Sequence, residues 1–104
     1  FSESASGISG LETLLSLVLK LAEETTLSLP EAIARVTAHP ARILGIDVGR
    51  LLPGAPADIC VLDPNRIRRV TPDSLHSQGL NCVFFEQKLP GVINNVLVGG
   101  QIVF

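Results

Sequence analysis

The 104-residue sequence predicts a small α+β unit in which helices come first and strands follow. Apolar residues at positions 11, 14, 15, 18, 19 and 22 recur at helical spacing, and two Ser-x-x-Glu signals mark helix starts before Gly45. Beyond Gly45 the apolar runs are short, rich in strand formers and separated by Pro, Gly and Asn. Residues 1–45 are therefore read as helical and residues 46–104 as strand-bearing.

The first helix is written in SGISGLETLLSLVLKLA. Leu11, Leu14, Leu15, Val18, Leu19 and Ala22 predict one buried face, which Leu17 and Leu21 widen. Ser9 with Glu12 three residues later predicts a capping box, in which the Ser side chain takes one orphan amide and the Glu carboxylate reaches back for another. A second box is expected at Ser28 and Glu31, with Pro30 in a first turn where its missing amide loses nothing. Leu29, Ile33 and Val36 form the stripe of that helix. It is expected to stop at about His39, because Pro40 disfavours helical geometry in the residue before it. Pro40 opens a further turn through Arg42 and Leu44, closed by Gly45 as a left-handed cap.

In the second half, Pro53 and Gly54 suit the centre of a type II turn, and residues 59–62 a buried strand. Asp63, Pro64 and Asn65 predict a turn, after which residues 67–70 would return antiparallel to that strand. Residues 71–90 read as a long loop broken by Pro72, Gly79 and Pro90. Residues 92–98 and 101–104 read as two strands joined by a two-residue hairpin at Gly99 and Gly100.

With 46% hydrophobic and 17% charged residues, the chain is more apolar than a free-standing domain of its size needs to be. Its first helix is expected to bury part of its apolar face against the rest of a longer polypeptide, a second copy of itself in a homo-oligomer, or a partner subunit. The longest apolar run, residues 14–22, is interrupted by Lys20 and falls short of the roughly 20 residues a bilayer span requires, so no membrane partner is expected. A net charge of −2 argues against a nucleic-acid partner. Arg66, Arg68 and Arg69 lack interleaved aromatic residues and read as a solvated strand edge. Cys60 and Cys82 form no C-x-x-C pair and read as small packed hydrophobes, which fits a cytoplasmic protein. The start at Phe1, with no basic segment before an apolar one, reads as part of a longer chain.

A hydrolytic metal site needs several His, Asp or Glu ligands converging on one ion, as in H-x-H or H-E-x-x-H. His39 and His76 stand far apart without such companions, and no G-x-S-x-G nucleophile elbow is present, so no catalytic residue and no metal ligand is assigned. The glycine-rich approach to the first helix is different, because a helix start preceded by glycines presents free amides to an acceptor. Capping by Ser9 outweighs ligand binding there. The two remain compatible, since the backbone of Ser6 and Gly7 lies outside the box.

SGISGLETLLSLVL, LSLPEAIARVTAHPARILGI, GRLLPGAPADICVLDP, SQGLN and LPGVINNVLVGGQIVF, in that order, resemble the C-terminal end of a dihydroorotase of the cyclic amidohydrolase superfamily. The pattern G-x-L-x-x-G-x-x-A-D-x-x-x-x-D, here residues 49–63, is shared widely across amidohydrolases. The G-I-x-G-L-E-T loop followed by S-x-G-x-N is more selective, favouring dihydroorotase over allantoinase or hydantoinase. The resemblance implies a (β/α)8 barrel with a small β-sandwich. Residues 1–45 would be the last loop and helices of that barrel, and residues 46–104 the C-terminal strands of the sandwich. It also implies reversible hydrolysis of dihydroorotate to N-carbamoyl-aspartate in pyrimidine biosynthesis, with zinc polarising the ring carbonyl and generating hydroxide. The zinc ligands and the general acid/base Asp of the family precede the position of Phe1, so this chain alone would hold no zinc and be inactive. The backbone of Ser6 and Gly7 would face the pyrimidine ring. Two departures stand out. Cys82, Val83, Phe84, Phe85 and Glu86 replace the T-P-F-x-G common after S-x-G-x-N, and Ser4, Ala5 and Ser6 replace a more apolar approach to the glycine loop. Both fit the alternative of a catalytically silent relative that assembles with aspartate transcarbamoylase.

Overall fold

The computed structural model describes Gly7, residues 9–79 and residues 81–104. Three helices precede a three-stranded antiparallel sheet, so the α+β order read from the sequence holds.

A 3-10 turn at Leu11–Thr13 leads into helix α1, Leu14–Glu24. Of the predicted face Leu19 is buried and Leu15, Val18 and Ala22 are half-buried, with Ser16 and, just before the helix, Thr13 buried beside them. Leu11 and Leu14 are exposed, Leu11 at 85%. The side turned to the sheet is set by Gly91, whose backbone meets the helix so closely that a Cβ would stand 2.5 Å from Leu19 Cδ1. Gly91 permits that approach because it has no side chain for Leu19 to meet, and Ser16 Oγ stands 3.9 Å from the same position.

Helix α2, Leu29–Ala34, starts at Ser28 as expected, Ser28 Oγ accepting the Glu31 amide at 3.3 Å, but the other half of the predicted box differs: the Glu31 carboxylate accepts the Ser28 hydroxyl at 2.9 Å rather than a backbone amide. It ends at Ala34, earlier than predicted. His39 does not terminate a helix but lies with Pro40 in the first turn of α3, Ala38–Leu44, where a proline costs no hydrogen bond. Gly45 closes α3 at φ 69°, in the left-handed conformation anticipated.

Strand β1, Ile59–Arg69, pairs with β2, Lys88–Val98, which pairs with β3, Gln101–Ile102. The turn at Asp63, Pro64 and Asn65 forms locally, the Asn65 amide donating to Asp63 Oδ1 at 2.9 Å, but the chain does not reverse. Asp63 faces Val92 and Ile67 faces Pro90, so the two predicted strands are one edge strand carrying a bulge. Gly54 stands at φ 87° with the Ala55 amide on the Leu52 carbonyl, as a type II turn requires. Gly99 and Gly100, at φ 58° and 82°, form the expected hairpin. The Gly99 amide donates to Asp58 Oδ1 at 2.9 Å and the Gly100 amide to the Ala57 carbonyl at 3.0 Å. Ala57 and Asp58 therefore have a structural task, tying the start of β1 to the hairpin.

Among the described residues the buried apolar side chains are Leu19, Ala32, Ala41, Val70 and Leu89. Leu19 is on α1, Ala32 on α2, Ala41 on α3, and Val70 and Leu89 sit at one end of the β1–β2 pair; α1 packs on both α2 and β2.

Candidate functional site

The glycine-rich approach to α1 lies against the segment containing the S-x-G-x-N motif, and polar groups join them along their length. The Asn81 carboxamide Nδ2 donates to the Gly7 carbonyl. The Ser9 amide donates to the Asn81 carbonyl at 2.6 Å, and Ser9 Oγ donates to the Gly79 carbonyl at 3.1 Å. One turn further on, the Glu12 carboxylate accepts the amides of His76, at 2.8 Å, and Ser77, at 2.9 Å. The backbone carbonyl of Glu12 accepts from Arg68 Nη2 at 2.7 Å, which brings the edge strand into the same assembly.

This arrangement replaces the capping box predicted at Ser9 and Glu12. The 3-10 turn begins at Gly10 with no side-chain cap, because both residues of the motif have turned outward to partners far along the chain. Glu12 gains by doing so. The Ser77 side chain beside it, then the His76 amide, hold its carboxyl below the ordinary carboxylate value, with burial acting weakly in the opposite direction. Gly79 also fits this contact, since a Cβ there would stand 3.2 Å from Ser9 Oγ.

Of the two residues expected to face a substrate, Gly7 is exposed at φ 141°, a conformation open chiefly to glycine, and Ser6 lies outside the described residues. From sequence Asn81 has no role of its own, and Glu12 reads only as part of a cap and Arg68 only as part of a solvated strand edge. The available signal was the selective S-x-G-x-N motif itself, a polar cluster in a segment with no periodicity. The arginines are not all solvated: Arg66 and Arg69 are exposed, Arg69 lying 3.6 Å from Glu86, whereas Arg68 is half-buried against Glu12.

Beside these hydrogen bonds, α1 and the sheet line a cleft of about 510 Å³ whose wall includes Glu12, Leu15, Ser16, Arg68 and His76. The His76 ring packs edge-on against Phe104, with centroids 5.7 Å apart. Cys60 is exposed on β1 rather than packed, although partial desolvation pushes its thiol pKa up, and Cys82 is half-buried.

Among the described residues no three His, Cys, Asp or Glu side chains converge on a point where a cation could sit. The residues present thus do not fit the zinc that the resemblance implies. No described helix is long and apolar enough to cross a membrane.

A family profile described as "Amidohydrolase family" matches residues 11–104. A dihydroorotase of Syntrophus aciditrophicus (strain SB) is 45% identical over 104 residues, all of this chain and 24% of that protein. One of Geobacter metallireducens is 43% identical over the same shares. Among solved structures, one described as "Structure of D-hydantoinase" superposes with a TM-score of 0.85 at 25% identity, covering 95% of this chain and 22% of that one. The chain therefore spans about a quarter of the length of the curated relatives it matches.

Proposed function

This chain belongs to the amidohydrolase family, and on that footing we propose that it is part of a dihydroorotase, reversibly hydrolysing dihydroorotate to N-carbamoyl-aspartate in pyrimidine biosynthesis in the cytoplasm. The observation that carries this reading is the joining of the two selective motifs: the glycine loop and the S-x-G-x-N segment are hydrogen-bonded to each other through Asn81, Ser9 and Glu12. The 39–45% identity to proteins named dihydroorotase supports it.

In this reading residues 1–45 complete the barrel and residues 46–104 contribute strands to the sandwich. The backbone of Ser6 and Gly7 faces the substrate ring, and zinc is held by the rest of the polypeptide. The exposed leucines of α1 pack on the remainder of the barrel or in a homo-oligomer. The 104 residues alone are inactive.

The second reading, a silent subunit assembling with aspartate transcarbamoylase, rests on the replacement of T-P-F-x-G. The altered segment nevertheless pairs with the residue just after β1, the Glu86 amide donating to the Val70 carbonyl at 2.7 Å. Turnover of dihydroorotate by the complete polypeptide supports the enzyme. A folded complete polypeptide without turnover that co-purifies with aspartate transcarbamoylase supports the silent subunit.

A further inference from the structure

We propose that Asn81, supported by Glu12, is a positioning residue that fixes the backbone of Gly7 for substrate; this deepens the dihydroorotase reading and rests on it. A glycine at φ 141° has no side chain to hold it, and an unheld glycine loop must be ordered each time a ligand binds. Asn81 supplies the hold from two directions. Its carboxamide donates to the Gly7 carbonyl while its own carbonyl accepts the Ser9 amide, so one residue brackets the chain on both sides of position 8.

The bracket is itself anchored. Ser9 Oγ reaches the Gly79 carbonyl two residues before Asn81, and Glu12 holds the amides of His76 and Ser77 at the far end of the same segment. Sliding segment 76–81 against the glycine loop would break these bonds together. Because none of these side chains is assigned a place at the reacting atoms, their effect falls on how readily substrate is held rather than on the bond-breaking step.

The test is steady-state hydrolysis of dihydroorotate by the complete polypeptide, comparing wild type with Asn81→Ala, Asn81→Asp, Glu12→Gln and Ser9→Ala. Asn81→Asp keeps the shape of the side chain but turns the donor toward Gly7 into an acceptor. Both Asn81 variants are expected to raise KM about tenfold with kcat within about threefold of wild type, and Glu12→Gln and Ser9→Ala to raise KM about threefold. If Asn81→Ala fails to fold, the isosteric Asn81→Asp and the milder Ser9→Ala carry the same comparison. Unchanged KM in folded Asn81→Asp and Ser9→Ala, or a fall in kcat with KM fixed, overturns the positioning role while leaving the dihydroorotase reading standing. A folded wild type that does not turn over dihydroorotate overturns both.

Discussion

Glu12 Oε2 lies 2.9 Å from the amide nitrogen of Ser77, sixty-five positions later in the chain. With the His76 amide at 2.8 Å on Oε1, one carboxylate closes the gap between the start of the first helix and the long segment that joins β1 to β2.

The folded-state pKa of Glu12 is depressed below its ordinary value of 4.5, first by the Ser77 side chain and then by the His76 amide. A depressed carboxyl stabilises the fold at pH above its unfolded pKa, and that contribution is lost as pH falls through the lower folded value. Denaturation midpoints followed from neutral pH to below 4.5 should fall in wild type and fall less steeply in Glu12→Gln. Glu12→Ala at neutral pH is expected to cost about 1.5 kcal/mol, the lower end for charge-assisted hydrogen bonds because water reaches the pair.

Ser9→Ala is expected to cost about 1 kcal/mol by loss of its bond to the Gly79 carbonyl. Ser9→Asp separates this cause from helix capping. Aspartate is among the best N-caps and would preserve a cap, whereas a carboxylate facing the Gly79 carbonyl should destabilise more than alanine does. Thermal midpoints of the two variants, measured side by side above pH 6, decide between the causes.

Glu86 is the only non-glycine residue at positive φ among those described, at 66°, and it occupies the glycine position of the T-P-F-x-G pattern. The left-handed conformation costs an ordinary residue about 1–2 kcal/mol, part of which glycine returns through its freer unfolded state. The exposed Arg69–Glu86 pair at 3.6 Å contributes little against this. Glu86→Gly should therefore stabilise by about 0.5 kcal/mol, seen as a higher denaturant midpoint at unchanged m-value.

The isolated 104 residues should associate in solution. Leu11 is 85% exposed, Ile43 84% and Leu44 72%, while the buried apolar set is five residues among those described. Each large apolar side chain left in water forgoes about 1.5–3 kcal/mol of burial, so such a surface drives contact with other chains. Sedimentation at micromolar concentration is expected to show oligomers. A stable monomer that binds no hydrophobic dye would mean the surface is satisfied as it stands.

Features decided within a few residues were legible in the sequence. The Ser28 cap, the left-handed Gly45, the turn at Gly54 and the Gly99-Gly100 hairpin each depend on the conformational range of one or two residues. Features decided by distant partners were not. Ser9 and Glu12 obey the local capping rule, yet backbone groups at 76–81 offer stronger bonds that no local rule sees. The turn at Asp63 formed as read, but whether a bulge or a reversal follows depends on pairing with Val92 and Pro90. The leucine periodicity located α1 and the Leu15, Val18, Leu19 and Ala22 side of it, but not the contact that seats the helix, where Leu19 meets the backbone of Gly91. For the candidate site, the two motifs were legible as marks of a family, and their contact with each other was not.

The most direct test of the central claim is hydrolysis of dihydroorotate by the complete polypeptide containing this chain, with hydantoin and allantoin as competing substrates and the 104 residues alone as control. The expected result is turnover of dihydroorotate in preference to the other two by the complete polypeptide, and none by the isolated chain. Preference for hydantoin or allantoin, or turnover by the 104 residues alone, would contradict it.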